Sequence, residues 1–297
     1  MKSFAALLVL LVFSCFVMKA QKPIKVIEDS LKVGKSNLPS LSVVIPEANY
    51  EKVMKAWKKE LESVSKSKTV VDNDEITIYG AKLKNVSPEP VNVYSKLTPA
   101  DSATNLIVAF EQKKDEYIDK SQGLSFTKAK EYLKDFAKNQ YLDVVKDQSD
   151  TEEKKLRDLQ KELSSLEKEK SKIQKTIASD SASLFTEDEN IKIQKNELST
   201  VSTEIVDQNK KMSSPDADQM KKENEKYLND LDKRKKKALN SIESSQNKIA
   251  KMKNEIAKSK EEIPKNEQQQ QEIQEKIDAQ QKVANGYAER VKTIESY

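Results

Sequence analysis

Residues 242–263 read IESSQNKIAKMKNEIAKSKEEI. Isoleucine recurs at 242, 249, 256 and 263, and Lys, Glu, Ser and Asn fill most places between. One apolar side chain every seven residues draws a narrow stripe along a helix, which must be covered by another helix. Working outward, position a falls on Leu228, Lys235, Gln270, Ile277, Ala284 and Val291 as well. Position d then takes Leu231, Ala238, Ser245, Met252, Ser259, Asn266, Ile273, Gln280, Tyr287 and Ile294. A second run of the same period lies upstream. Its a positions are Leu156, Leu163, Lys170, Ile177, Leu184, Ile191, Leu198, Ile205 and Met212, and its d positions include Leu159, Leu166, Ile173, Asp180, Glu187, Val201 and Gln208. A pattern held over this many heptads predicts a long coiled coil.

Ser213-Ser214-Pro215-Asp216-Ala217-Asp218 separates the two runs. Ser214 suits an N-cap, Pro215 the first helical position, and the two aspartates the first turn. A turn this short predicts an antiparallel hairpin whose C-terminal end returns to the residues that precede it. Placing Met212 opposite Ala217 pairs Val201 with Leu228, Leu198 with Leu231, Ile173 with Ile256 and Leu156 with Ile273. The same register faces Gln208 with Lys221 and Glu187 with Ile242. Asp180 and Glu187 pack poorly there, and Thr186 with Glu189 resembles a capping box, so a break of the first arm is expected near 180–187. Pro264 removes a backbone hydrogen bond but does not interrupt the heptads, which predicts a kink and not a turn.

Composition agrees. Charged residues make up 34% of the 297, hydrophobic residues 36%, and glycine occurs 4 times. Such a chain favours long helices over an ordinary globular core. The 53 basic and 49 acidic residues leave a net charge of +4, which makes no general case for nucleic-acid binding. There is no histidine, and the single cysteine is Cys15. Most triads, thiol nucleophiles and zinc sites are thereby excluded. No cofactor or metal is expected.

Lys2 precedes a nearly continuous apolar run from Phe4 to Met18, followed by Lys19-Ala20. The run is shorter than the ~20 residues of a membrane span. It reads as a secretory signal peptide over 1–20, with Gln21 as the first mature residue. Simple cleavage is the expectation. Lipidation at Cys15 and retention as an uncleaved anchor are the alternatives. The proportions are bacterial, which places the product in the periplasm or at the cell surface.

Residues 21–40 read as a linker or edge strand. Residues 41–126 read as a small α+β domain. Leu41 to Ile45 is β-rich and ends at Pro46. Tyr50, Val53, Met54, Trp57 and Leu61 share one face of a helix over 48–64. Strand-like runs follow at Glu75–Leu83, Pro90–Tyr94 and Asn105–Phe110. The order is β-α-β-β-β, a sheet with a helix on one face. From about Thr127 a helix carrying Tyr132, Leu133, Phe136, Tyr141, Leu142 and Val145 offers a second packing layer. The fold class is therefore α+β, with this small domain followed by a long antiparallel hairpin: a first arm over 127–212, a turn over 213–217 and a second arm over 218–297.

Lys233-Arg234-Lys235-Lys236-Lys237 is the densest basic run. It could hold an anionic polymer or a membrane surface. Five consecutive helical residues point all round the axis, however, so a solvated surface is the simpler reading. Asp72-Asn73-Asp74-Glu75 could ligate calcium, but lacks the spacing of an EF-hand loop and reads as a turn. Asp29-Ser30-Leu31, Asp101-Ser102-Ala103 and Asp180-Ser181-Ala182 resemble the acceptor motif for O-glycosylation in exported Bacteroidetes proteins, which makes Ser30, Ser102 and Ser181 candidates.

No phosphate loop, nucleophile elbow or paired carboxylate pattern stands out. The expected function is a non-enzymatic envelope protein whose hairpin acts as spacer, scaffold or partner-binding arm. Its protein partner is not identified, and self-association through the coiled coil is a further option. An anionic-polymer or membrane-surface binder, and an enzyme in the 41–118 domain, are the competing readings. In outline the architecture looks like that of periplasmic adaptor proteins and hairpin chaperones. The half-motifs of an adaptor's lipoyl-like domain are not visible, so no function is carried over.

Overall fold

The computed structural model describes residues 23–213 and 221–297. The signal-peptide reading and the Ser214-Pro215 turn lie outside the described residues. The chain is mixed α+β and mostly helical: a small antiparallel sheet is followed by two long helices that pack on each other. It divides into two units, Met1–Lys154 with Lys282–Tyr297, and Lys155–Gln281.

The strands of the first unit are β1 (Val26–Val33), β2 (Ser36–Pro46), β3 (Val70–Asp72), β4 (Glu75–Ala81), β5 (Val91–Ala100), β6 (Ala103–Lys113) and β7 (Glu116–Tyr117). The sheet order is β1-β2-β6-β5-β4-β3, with β7 also on β6. Every pairing is antiparallel. Sharp turns make this possible. Gly34 takes φ 58° between β1 and β2, Asn73 φ 54° between β3 and β4, and Ser102 φ 53° between β5 and β6. The polar stretch before Leu41 thus supplies β1 and the first half of β2, the opening hairpin of the same sheet.

Helix α1 (Tyr50–Ser63) starts where the Asn49 side chain accepts the Lys52 N–H at 3.1 Å. Val53, Trp57 and Leu61 recur at every fourth place and are buried. They lie against the β5 residues Val91, Val93 and Leu97 and the β6 residues Leu106, Val108 and Phe110. Helix α2 (Leu124–Met212) begins the second layer with Ala129, Leu133, Phe136, Ala137, Tyr141 and Val145, all buried in the same core. Trp57 is the centre of the contact. Its ring lies 4.8 Å from that of Phe136, and its Nε1–H donates to Ser95 Oγ at 2.9 Å. That hydroxyl donates in turn to the Ile76 carbonyl at 2.9 Å.

The end of helix α3 (Lys221–Glu295) completes the first unit. Ile294 is fully buried in the core, and Tyr287 and Val291 pack beside it. Arg290 donates to Glu47 at 2.6 Å and to the Tyr141 hydroxyl at 3.1 Å. Lys134 and Lys138 donate to the carbonyls of Tyr297 and Glu295, meeting the negative end of the helix.

In the second unit the helices run antiparallel. Gln208 donates to Asn224 at 2.7 Å, Ser245 to Glu187 at 2.6 Å, and Asn266 to the Leu166 carbonyl at 3.1 Å. The register differs from the sequence expectation. Gln208 meets Asn224 and not Lys221, and Glu187 meets Ser245 and not Ile242, a shift of three residues along α3. Hydrogen bonding sets it. Apolar spacing alone accepts either register, but the other would face Glu187 with Ile242, whereas this one gives it the Ser245 hydroxyl. Nor is there a break at 180–187. Helix α2 runs unbroken, Thr186 donates back to the Ala182 carbonyl at 3.3 Å instead of capping a new helix, and Glu187 is held from across the seam. Pro264 sits inside α3 without ending it.

Trp57 is the chain's only tryptophan, so its emission reports on the sheet unit alone. Trp57→Phe removes a buried donor and ring volume and is expected to lower the unfolding free energy by about 2–3 kcal/mol. Far-UV circular dichroism in urea measures it. An unchanged midpoint would show that the Trp57–Ser95 bond contributes nothing.

Candidate interaction surfaces

The sheet has a second face. Along β5 the buried residues Val91, Val93, Ser95 and Leu97 alternate with half-buried Asn92, Tyr94, Lys96 and Thr98, which point away from α1. On this outer face Leu31, Leu38 and Ala109 form a small buried cluster, with Val33, Ile107, Tyr94 and Tyr117 against it. Tyr94 stands 6.4 Å from Tyr79 and 6.4 Å from Tyr117 between ring centres.

Glu111 is the polar centre of that face and is 7% exposed. It accepts from Asn92 Nδ2 at 2.8 Å, the Tyr94 hydroxyl at 3.1 Å and the Asp115 N–H at 3.1 Å. Burial opposes its ionisation. The bonds from Asn92, Asp115 and Tyr94 outweigh that cost and hold the carboxyl below its ordinary range. Tyr94 answers in the opposite direction. Burial, then the bond to Glu111, pushes its hydroxyl well above the ordinary range. Asn92 Oδ1 also accepts the Gly80 N–H at 3.1 Å, which ties β4 into the network at its irregular step. The arrangement fixes one carboxylate and one neutral phenol on an open sheet face. Asn92, Tyr94 and Glu111 were not singled out in the sequence. The signal that could have found them is the period-2 alternation of 91–97 and of 105–111.

On the second unit the basic run is not uniform. Arg234 bridges the helices, donating to Glu197 at 2.9 Å and to Glu204 at 3.1 Å. The Glu197 hydrogen bond, the largest influence, helps raise its pKa further above the usual range. Lys233 pairs with Asp230 one turn earlier at 3.4 Å. Lys235, Lys236 and Lys237 are exposed. At 100° per residue these three do not share a face. Further along, the Lys248 ammonium and the Ser245 hydroxyl hold the Glu187 carboxyl below its ordinary range. Lys170 pairs with Glu267 at 2.7 Å. Asn266, itself buried, accepts from Gln270 at 2.7 Å.

The three serine candidates are all exposed. Ser30 lies in β1, Ser102 in the β5–β6 turn with its carbonyl accepting the Glu47 N–H at 2.8 Å, and Ser181 in α2. The Asp72–Glu75 segment is the β3–β4 turn, where Asp74 and Glu75 pair with Lys96 at 3.2 and 3.6 Å. Among the described residues no group of three or more His, Cys, Asp or Glu could hold a metal ion, and no helix is long and apolar enough to cross a membrane. No protein-family model and no curated protein matches the chain.

The Glu111 network makes a pH-dependent prediction. A carboxyl depressed in the folded state stabilises above its unfolded value of about 4.3, and that contribution is lost as pH falls through the folded value. Glu111→Gln is expected to cost about 1–2 kcal/mol at neutral pH. The gap to the unsubstituted protein should hold from pH 7 to 5 and shrink below about 4. Urea unfolding across that range decides it; a gap that is flat down to pH 3 counts against the network.

Proposed function

We propose that the chain is an exported, non-enzymatic cell-envelope protein whose 155–281 unit is a two-stranded antiparallel coiled coil acting as spacer, scaffold or partner-binding arm. One observation carries this reading. Within 155–281 the buried residues of α3 (Leu231, Ala238, Ser245, Asn266, Ile273 and Ile277) and of α2 (Leu156, Val201 and Gln208) fall only on the a and d positions of the heptad. Burial confined to two places in seven is what a narrow two-helix seam produces. The bridges from Arg234 to Glu197 and Glu204 flank that seam, as flanking charges do when they set the choice and direction of a partner helix. Export rests on the charged start, the apolar run Phe4 to Met18 and the Lys19-Ala20-Gln21 junction. The docking role falls to the sheet unit, whose outer face leaves Tyr79, Ile27 and Val44 about half exposed.

Two experiments test the reading. Val201→Cys with Leu231→Cys, oxidised at low protein concentration, should close an intramolecular disulfide faster than Leu198→Cys with Leu231→Cys. Bonding that is only intermolecular would replace the hairpin by an assembly of separate chains. In the exporting cell, N-terminal sequencing should begin at Gln21, and the protein should fractionate with the envelope and be retained through a salt-resistant protein contact. Cytoplasmic recovery with Met1 intact overturns export. Salt-sensitive retention on anionic vesicles alone overturns the partner-arm role in favour of the Lys235–Lys237 surface.

A further inference from the structure

Among the described residues, strand β1 is an outermost strand of the sheet and pairs with β2 alone. Its ladder can be counted from the turn. Val33 and Ser36 close a two-residue loop, Gly34-Lys35, so the bonded pairs are Val33–Ser36, Leu31–Leu38, Asp29–Ser40 and Ile27–Ser42. Val26, Glu28, Ser30 and Lys32 therefore aim their N–H and C=O groups away from the sheet. Two observations agree. Ser30 faces Pro39, which has no N–H to give. The Ser30 N–H instead goes to its neighbour's carboxylate, Asp29 Oδ1, at 2.8 Å. Residues Ile27 to Ser30 are all exposed along this edge.

Charges on an edge strand ordinarily guard it against pairing. Here their spacing does something else. If a second copy of β1 is laid antiparallel about a twofold axis at Ser30, Glu28 of each copy stands opposite Lys32 of the other. Both pairs are on the same face and at bonded positions, so the dyad gains two unlike-charge contacts at once. A shift of two residues one way sets Asp29 against Asp29 and loses both contacts. A shift the other way sets Glu28 against Gly34 and loses them too. Glu28 is bridged to Lys120 at 4.0 Å, and both groups are largely exposed, so this weak bridge competes little.

We infer that β1 is a self-pairing edge, and that two copies of this chain join there into one continuous sheet with Ser30 on the dyad. The pairing is distinct from any association through the long helices. A glycan on Ser30 would occupy the dyad, so modification at that residue and dimerisation exclude each other on one molecule.

The test uses the full chain purified after export, followed by sedimentation equilibrium from low to high micromolar concentration. The protein should dimerise reversibly. Lys32→Glu alone and Glu28→Lys alone each oppose like charges twice and should weaken the dimer at least ten-fold. The combined Glu28→Lys, Lys32→Glu chain exchanges the partners and should recover most of the affinity. Circular dichroism guards against misfolding, and the double variant is its own folding control. A monomer at every concentration overturns the inference. So does a dimer indifferent to both single reversals, or one whose intact mass carries a glycan at Ser30.

Discussion

The burial of a narrow stripe of side chains along α3 is the constraint that organises the second unit. Leu231, Ala238, Ser245, Asn266, Ile273 and Ile277 are its buried residues there, and two of the six are polar. A seam this narrow removes little apolar area per turn, so each layer stabilises weakly. Length compensates, since α2 and α3 have 89 and 75 residues. The consequence is that apolar contact makes the helices adhere without deciding where. Position is decided by the polar layers, where a missing partner costs more than an apolar mismatch.

The first unit works by the opposite economy. Its inner sheet face, α1 and the start of α2 enclose a dense core in which Trp57, Phe110, Leu61 and Leu133 are almost wholly buried. Among the described residues, only strand residues pack on its outer-face cluster of Leu31, Leu38 and Ala109. That side relies on Glu111, which draws bonds from β5 and from the turn after β6. A single carboxylate thus does for the open face part of what a covering layer does for the closed one. The last turns of α3 belong to this unit, because Ile294 fills the core and Arg290 reaches both Glu47 and Tyr141.

Much of this was legible in the residues. The apolar spacing of Val53, Trp57 and Leu61 marks α1, the β-branched runs at 41–45 and 105–110 lie within β2 and β6, and that at 75–83 overruns β4 by two residues. The strand β1 was harder, because its sequence, VIEDSLKV, mixes charges with apolar residues as an outermost strand can. The three-residue shift of register was not legible. Heptad counting fixes which face of a helix is buried, but not which layer it meets. The turn that would anchor the count lies outside the described residues. Arg234 shows the same limit. Within its own run it is one basic residue among five. Its role comes from Glu197 and Glu204, which are more than a full arm's turn away in sequence and adjacent in space.

The placement of polar layers also explains why a long repetitive seam holds one register. An all-apolar heptad stripe can slip by seven residues and lose only its end contacts. Slipping this one by a heptad would move Glu187 from Ser245 to Ala238 or Met252, stranding a carboxylate against an apolar wall. Gln208 would leave Asn224 and, in one direction, face Leu231. Glu187 is half-buried, and in a slipped register its carboxylate would lose the Ser245 and Lys248 donors it has now. The polar layers sit at even intervals of three heptads, near 208, 187 and 166 on α2. A slip of one or two heptads therefore displaces all of them together, and only a slip of three would set polar layers face to face again. What looks like a defect in the stripe at Glu187 is the feature that forbids the alternatives.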